Sequence, residues 1–207
     1  MNNKFMDTMD SNKNADYEKP RLSEKLVIII NGKGGAGKDT VCEVVEKRYR
    51  ARAISAITPI KEVALHCGWA GDSEKDNRAR KLLSDLKRVL IEYNDMPNNY
   101  LEKEYKRFIN SGYDILFVHI REGDQIDDFK KRVSSKCITL MVRSSKIDNL
   151  NTVFGNASDD DVENYVYDYC FVNEKPIDLL AQEFIRFLSK TLETEGICEY
   201  GAVTDDA

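Results

Sequence analysis

The sequence predicts a three-layer α/β/α domain on a five-stranded parallel sheet. Short apolar runs alternate with longer helical patterns, the mark of a parallel sheet covered by helices. The first run, Leu26 to Ile30, leads directly into Gly32-Lys33-Gly34-Gly35-Ala36-Gly37-Lys38-Asp39-Thr40, and Val41, Val44 and Val45 follow at helical spacing. Strand, glycine loop, lysine, helix is the context that makes such a loop a phosphate cradle. The chain has 207 residues, enough for one α/β domain with a large core.

Each element has its own warrant. Residues 25–31 read as a strand and 38–50 as a helix. Ala51 to Ile57 reads as a second strand. Thr58-Pro59 opens a helix through His66, with proline at a tolerated first-turn position. Residues 68–73 form a loop. From Lys75 to Asn94, Leu82, Leu83, Leu86, Val89, Leu90 and Tyr93 recur at helical spacing. Asn94 to Asn99, with Pro97, breaks that pattern. Tyr100 to Ile109 is another helix, closed by Ser111-Gly112. Residues 114–120 are apolar on both faces, so this third strand is expected at the centre of the sheet. Asp124 to Val133 is helical, Cys137 to Val142 the fourth strand, Tyr167 to Val172 the fifth, and Ile177 to Leu192 the last helix. Residues 1–22 and 194–207 lack an apolar period and read as mobile ends of a domain spanning 23–193.

Composition narrows the function classes. Net charge is −5, from 31 Lys+Arg against 36 Asp+Glu. That balance argues against coating a nucleic-acid polymer but leaves room for a small anionic substrate in a local basic cleft. The five cysteines are scattered, no CxxC occurs, and His66 and His119 lie far apart, so neither a zinc site nor a disulfide framework is expected. Reduced thiols fit the cytoplasm. No apolar run reaches membrane-spanning length, and the N-terminus lacks a signal-peptide core. The oligomeric state stays open, a homodimer included.

The loop carries the chemistry. Its glycines let backbone N–H groups curl around phosphate oxygens, the helix start adds free donors and a favourable dipole, and Lys38 can reach the β- and γ-phosphates. One residue is off-pattern: Asp39 stands where a Ser or Thr hydroxyl usually binds magnesium. Asp39 is expected to hold Mg²⁺, directly or through water, with Thr40 donating to the α-phosphate. The alternative is that Asp39 only caps the helix.

In sheets of this kind ligands bind beyond the carboxyl ends of the strands. Lys61 follows the second strand, Lys75, Arg78, Arg80 and Lys81 open the long helix, Arg121 follows the third strand, and Arg143 and Lys146 follow the fourth. Each alone reads equally as a solvated charge. Together they could ring a cleft, as phosphoryl transfer requires. Segment 144–161 is polar and placed to act as a lid, or as an ordinary surface excursion.

Several stretches extend the reading by resemblance. The loop with Lys38-Asp39-Thr40 resembles phage-type deoxynucleoside monophosphate kinases, and animal-type phosphomevalonate kinase also carries Gly-Lys-Asp there. Pro59-Ile60-Lys61, then Lys75-Asp76 with Arg78 and Arg80, resembles the acceptor-binding helices of both families. His119-Ile120-Arg121, with Gln125-Ile126 after it, resembles their Asp-x-Arg segment. Tyr167-Asp168-Tyr169-Cys170-Phe171-Val172-Asn173 resembles the late strand ending in Asn of many nucleotide kinases. The resemblance implies a fold of the P-loop nucleoside triphosphate hydrolase type, and ATP and Mg²⁺ as ligands. It implies that residues 32–40 hold the ATP phosphates, with Lys38 central. It places Lys61, Arg80 and Arg121 at the acceptor phosphate, Asp76 among the acceptor-binding residues, Arg143 near the transferred group as a lid arginine, and Asn173 at the border of the base. It implies an ATP-dependent kinase of a small phosphorylated acceptor: a (deoxy)nucleoside monophosphate, or another metabolite such as phosphomevalonate.

The sequence departs from that pattern at His119, where those families carry Asp. Asp39 then supplies the local negative charge, or the metal arrangement differs, or catalysis is lost and the chain is a nucleotide-binding module. For the ring itself the simple expectation is a strand-end histidine satisfied by backbone.

Overall fold

The structure, a computed structural model, describes residues 19–71, 77–148, 162–174 and 177–201. In chain order the elements are β1 (Arg21–Leu22), β2 (Leu26–Asn31), α1 (Lys38–Arg48), β3 (Ala51–Ser55), α2 (Thr58–His66), α3 (Asn77–Asn94), α4 (Met96–Ile109), β4 (Ile115–His119), α5 (Gly123–Arg132), β5 (Lys136–Arg143), α6 (Ser145–Asp148), β6 (Tyr169–Val172), α7 (Ile177–Thr194) and β7 (Glu199–Tyr200).

Five strands pair in parallel in the order β3-β4-β2-β5-β6. The middle place belongs to β2, buried at all six positions. The third strand of the sheet, β4, lies one place from the centre, between β3 and β2. Both strands are apolar on both faces, so pattern alone does not rank two interior strands. Successive residues of β2 serve opposite layers, as the two-residue period of a strand demands. Ile28 and Ile30 pack with Val41, Val45, Leu140, Phe171, Phe184 and Leu188 on the α1/α7 side. Val27 and Ile29 pack with Leu101, Phe108, Ile126 and Phe129 on the α4/α5 side. Each fully buried side chain of this size contributes about 1.5–3 kcal/mol, so the two layers hold the loop after β2 on a rigid base. A smaller cluster of Ala64, Trp69 and Ala79, with Leu82, Leu83 and Leu86 against it, joins α2 to α3.

Three boundaries differ from the sequence reading. The break between α3 and α4 is Asp95 alone, a non-glycine residue in the left-handed region at φ 53°. Pro97 sits inside the first turn of α4, where its missing N–H costs nothing. Asn98 Nδ2 donates to Asp95 Oδ1 at 2.7 Å, and Arg132 donates to Oδ2 at 2.8 Å, which offsets the strain of that conformation. The expected mobile ends also meet: β1 and β7 pair antiparallel, Arg21 opposite Tyr200, and Tyr49 donates to Glu199 at 2.7 Å. Ordered structure thus extends beyond 23–193 at both sides, because backbone pairing between distant short segments leaves no local period. Residues 149–161, most of the expected lid, lie outside the described residues; its first turn is the short helix α6.

Among the described residues no helix is long and apolar enough to cross a membrane.

Candidate active site

The loop between β2 and α1 is shaped by glycine. Gly32 has φ +145°, and a Cβ there would lie 2.2 Å from the Val142 carbonyl oxygen, so no other residue fits without moving β5. Gly37 precedes α1 at φ +98°; a Cβ there would meet Asn173 Nδ2 at 2.7 Å. Lys38 Nζ donates to the carbonyls of Gly32 and, at 2.9 Å, Lys33. The ammonium thus lies inside the curl of its own loop. Helix α1 has no side-chain cap at Gly37, leaving its first N–H groups for a ligand. These features fit a polyphosphate.

The Asp39 side chain is 91% exposed and makes no hydrogen bond among the described residues, so capping has no bond behind it. Its oxygen lies 3.9 Å from His119 Nε2. The same nitrogen is 3.7 Å from Cys42 Sγ. The ring therefore faces side chains rather than the backbone, contrary to the simple expectation. Burial pushes His119 down to about 4, Lys38 and Arg121 push the same way, and the Asp39 carboxylate opposes them. At neutral pH the imidazole is uncharged, so the Asp39 contact is not an ion pair. No cluster of three His, Cys, Asp or Glu among the described residues forms a metal site by itself. A single exposed carboxylate still suits Mg²⁺, which binds through one or two carboxylates together with substrate phosphates and water.

The carboxyl ends of β2, β3 and β4 open into a cleft of about 1090 Å³. Gly34, Gly35, Lys38 and Asp39 form one wall, and Lys61 from α2, Arg80 from α3 and Arg121 after β4 line it as well. Basic side chains outnumber acidic ones there: Lys38, Arg52, Lys61, Arg80, Lys87, Arg88 and Arg121 against Asp39, Glu92 and Glu122. The cleft reverses the sign of the whole chain. Arg52 pairs with Glu104 at 2.9 Å and Lys87 with Glu122, while α3 also brings Leu83 and Ile91, and Tyr100 comes from α4.

Two expected site residues lie elsewhere. Arg143 ends β5 on the far side of β2 and does not line the cleft; its guanidinium is 3.2 Å from Glu163, whose other oxygen is 3.3 Å from Lys33. Asn173 stands behind the loop and donates to the Ala36 carbonyl at 3.2 Å. Thr40 lies in the first turn of α1. Asp76 and Lys75 fall outside the described residues. Glu163 carries no motif that points to it, whereas the buried Asn31, whose amide bonds both Gly32 and Arg121, stands at the first of the strand ends where the sequence places ligand contacts. Arg52, Lys87, Arg88 and Tyr100 were missed too; the α3 residues follow the helical face set by Arg80, the one signal that points to them.

Sheet order, flanking helices and a glycine loop after the middle strand define a three-layer α/β/α fold of the P-loop nucleoside triphosphate hydrolase type. No protein-family model matches the sequence, and no curated protein does. Among solved structures the chain is similar to shikimate kinase from Aquifex aeolicus (13% identity, 81% of this chain and 98% of that one, TM-score 0.44). It is similar to a gluconokinase from Sinorhizobium meliloti (13%, 84% and 96%, TM-score 0.45). It is also similar to the APS kinase of Mycobacterium tuberculosis solved with AMPPNP and APS (13%, 80% and 98%, TM-score 0.38).

Proposed function

We propose that the protein is an ATP-dependent phosphotransferase that moves the γ-phosphoryl group to a small phosphorylated acceptor, most simply a (deoxy)nucleoside monophosphate. The observation that carries this reading is the single basic cleft with the phosphate loop on one wall and Lys61, Arg80 and Arg121 along the others. An acceptor that is already a phosphate needs no side-chain base. Positioning and charge neutralisation then supply most of the rate. Lys38 and the loop amides hold the ATP phosphates. Lys61, Arg80 and Arg121, and Asp76 by the same reading, hold the acceptor. Arg121 also neutralises charge on the transferring group, a task for which arginine keeps its proton and grips phosphate bidentately. Arg143 joins them once it exchanges Glu163 for a phosphate, and Asn173 borders the base. Mg²⁺, held through Asp39, supplies charge neutralisation at the phosphate oxygens when bound. A cytoplasmic location fits these substrates. Phosphomevalonate-like metabolites are the rival acceptors.

A second reading has its own observation: His119 is neutral and stands where the resembling families have a carboxylate. A nucleotide-binding module that transfers nothing follows from it. The test is a screen of nucleoside monophosphates and phosphomevalonate with ATP and Mg²⁺, read as ADP and phosphorylated product. Turnover with one acceptor supports the enzyme. Stabilisation by ATP with no ADP from any acceptor supports the module. In Asp39→Ala an unchanged Mg²⁺ requirement removes Asp39 as the ligand.

A further inference from the structure

Asn31 ends the middle strand and is fully buried. Its Oδ1 accepts from Gly32 N–H at 2.8 Å. Its Nδ2 donates to the Arg121 carbonyl at 2.9 Å and to the Tyr167 hydroxyl oxygen at 2.8 Å. The amide can lie only one way: a backbone N–H only donates and a backbone carbonyl only accepts, so oxygen faces Gly32 and nitrogen faces Arg121. The Tyr167 hydroxyl donates onward to the Val162 carbonyl at 2.9 Å. One side chain thus joins the start of the phosphate loop, the strand exit that carries Arg121, and the segment leading into β6.

No near substitute does this. Aspartate has the shape but not the two donors, and leucine has the size but no polar atom. The loop end of this anchor accepts no side chain, because a Cβ at Gly32 would lie 2.2 Å from the Val142 carbonyl oxygen. Lys38 and Arg121 both line the cleft at the carboxyl ends of the strands. Where they stand relative to each other is the geometry that a phosphate chain between them would feel.

We propose that Asn31 is a positioning residue for Arg121: by holding the Arg121 carbonyl to the first residue of the phosphate loop, it sets the place of that arginine against a bound polyphosphate. The consequence for turnover rests on the phosphotransferase reading; the consequence for anion binding does not.

The test uses the full chain and inorganic tripolyphosphate, titrated by calorimetry against wild type, Asn31→Ala, Arg121→Ala and the double variant, with folding checked by thermal melting. Each single change is expected to weaken binding about tenfold, the scale of one charge-assisted hydrogen bond. The double variant is expected to bind no worse than Arg121→Ala, because Asn31 acts through Arg121. A purely structural asparagine would give additive losses, and additive losses in folded variants overturn the proposal. So does an Asn31→Ala protein that binds as tightly as wild type, an Arg121→Ala protein that loses nothing, or a wild type that does not bind. Should Asn31→Ala fail to fold, Asn31→Ser, which keeps a small polar group at the site, carries the same comparison. Where turnover exists, kcat is expected to fall about 100-fold in each single variant, as for a misplacement of about 1 Å, again without additivity. Non-additive binding with no turnover on any acceptor leaves the positioning role standing and sinks the enzyme reading.

Discussion

His119 and Asp39 face each other across 3.9 Å, an imidazole and a carboxylate from strand and helix ends 80 positions apart in sequence. The ring is neutral and mostly buried, while the carboxylate is almost fully exposed. The pair therefore carries one negative charge, and it sits on Asp39.

A second carboxylate changes that balance. In His119→Asp two like charges meet, which lowers the melting temperature of the metal-free protein. Mg²⁺ relieves the repulsion and is better coordinated by two carboxylates. The stabilisation produced by adding Mg²⁺ alone is expected to be larger in the variant than in wild type, read by thermal melting with and without the ion. Equal shifts would mean that the two positions do not share a cation.

Lys38 lies within its loop and is expected to turn to the phosphates when ATP binds. At ATP·Mg²⁺ about 100 times its Kd, wild type gains about 2.7 kcal/mol, or roughly 5–10 °C in Tm for a domain of this size. Lys38→Ala is expected to reduce that shift to below about 2 °C at the same concentration. A full shift in the variant would place the nucleotide elsewhere.

Two glycines of the loop differ in what a methyl group would strike. Gly32→Ala meets the Val142 backbone oxygen, which cannot swing away, whereas Gly37→Ala meets the end of the Asn173 side chain. Urea denaturation is expected to show a loss of more than about 4 kcal/mol, or no folding, for Gly32→Ala. For Gly37→Ala the loss is about 1–3 kcal/mol, mostly conformational strain. The reverse order would contradict the loop geometry.

Thiol reactivity tests the burial of α1 against the sheet. Burial raises the Cys42 thiol far above its ordinary value, with Asp39, Glu46 and Glu43 adding to the rise, and pushes Cys137 up to about 12. Raised values keep both thiols protonated through neutral pH, and reactivity appears only as pH climbs toward those values. Alkylation at pH 8 with mass-spectrometric readout is expected to label the exposed Cys67, Cys170 and Cys198 first and spare Cys42 and Cys137. Early labelling of Cys42 would show that the loop helix opens readily.

The core carries most of the stability. Phe117 is fully buried in β4, and Phe117→Ala is expected to cost about 3–5 kcal/mol by chemical denaturation, a large part of the 5–15 kcal/mol typical of a domain. A loss below 1 kcal/mol would mean that β4 is not packed as described.

The elements were legible because their signals are local. Leu26 to Ile30 reads as a buried strand from five neighbouring residues, and the 32–40 loop announces itself by glycine spacing. Lys61, Arg80 and Arg121 were found because strand and helix ends can be counted off along the chain, and parallel sheets gather ligands at one end. Arg143 was counted the same way and fell outside the cleft, because strand order, not strand number, decides which ends are neighbours. β5 lies beyond β2, away from β4 and β3.

Periodicity and glycine conformational freedom act over a few residues, so an α/β domain with a phosphate loop can be read directly from the chain. Which side chains meet is fixed by how the elements pack: Asn31 with Arg121, His119 with Asp39 and Cys42, Glu163 with Lys33 and Arg143. Apart from Arg143 with Glu163, 20 positions apart, those meetings join residues 77 to 130 positions apart, and all depend on sheet order and loop course. No short-range pattern encodes them, because their free energy comes from packing distant segments onto one core.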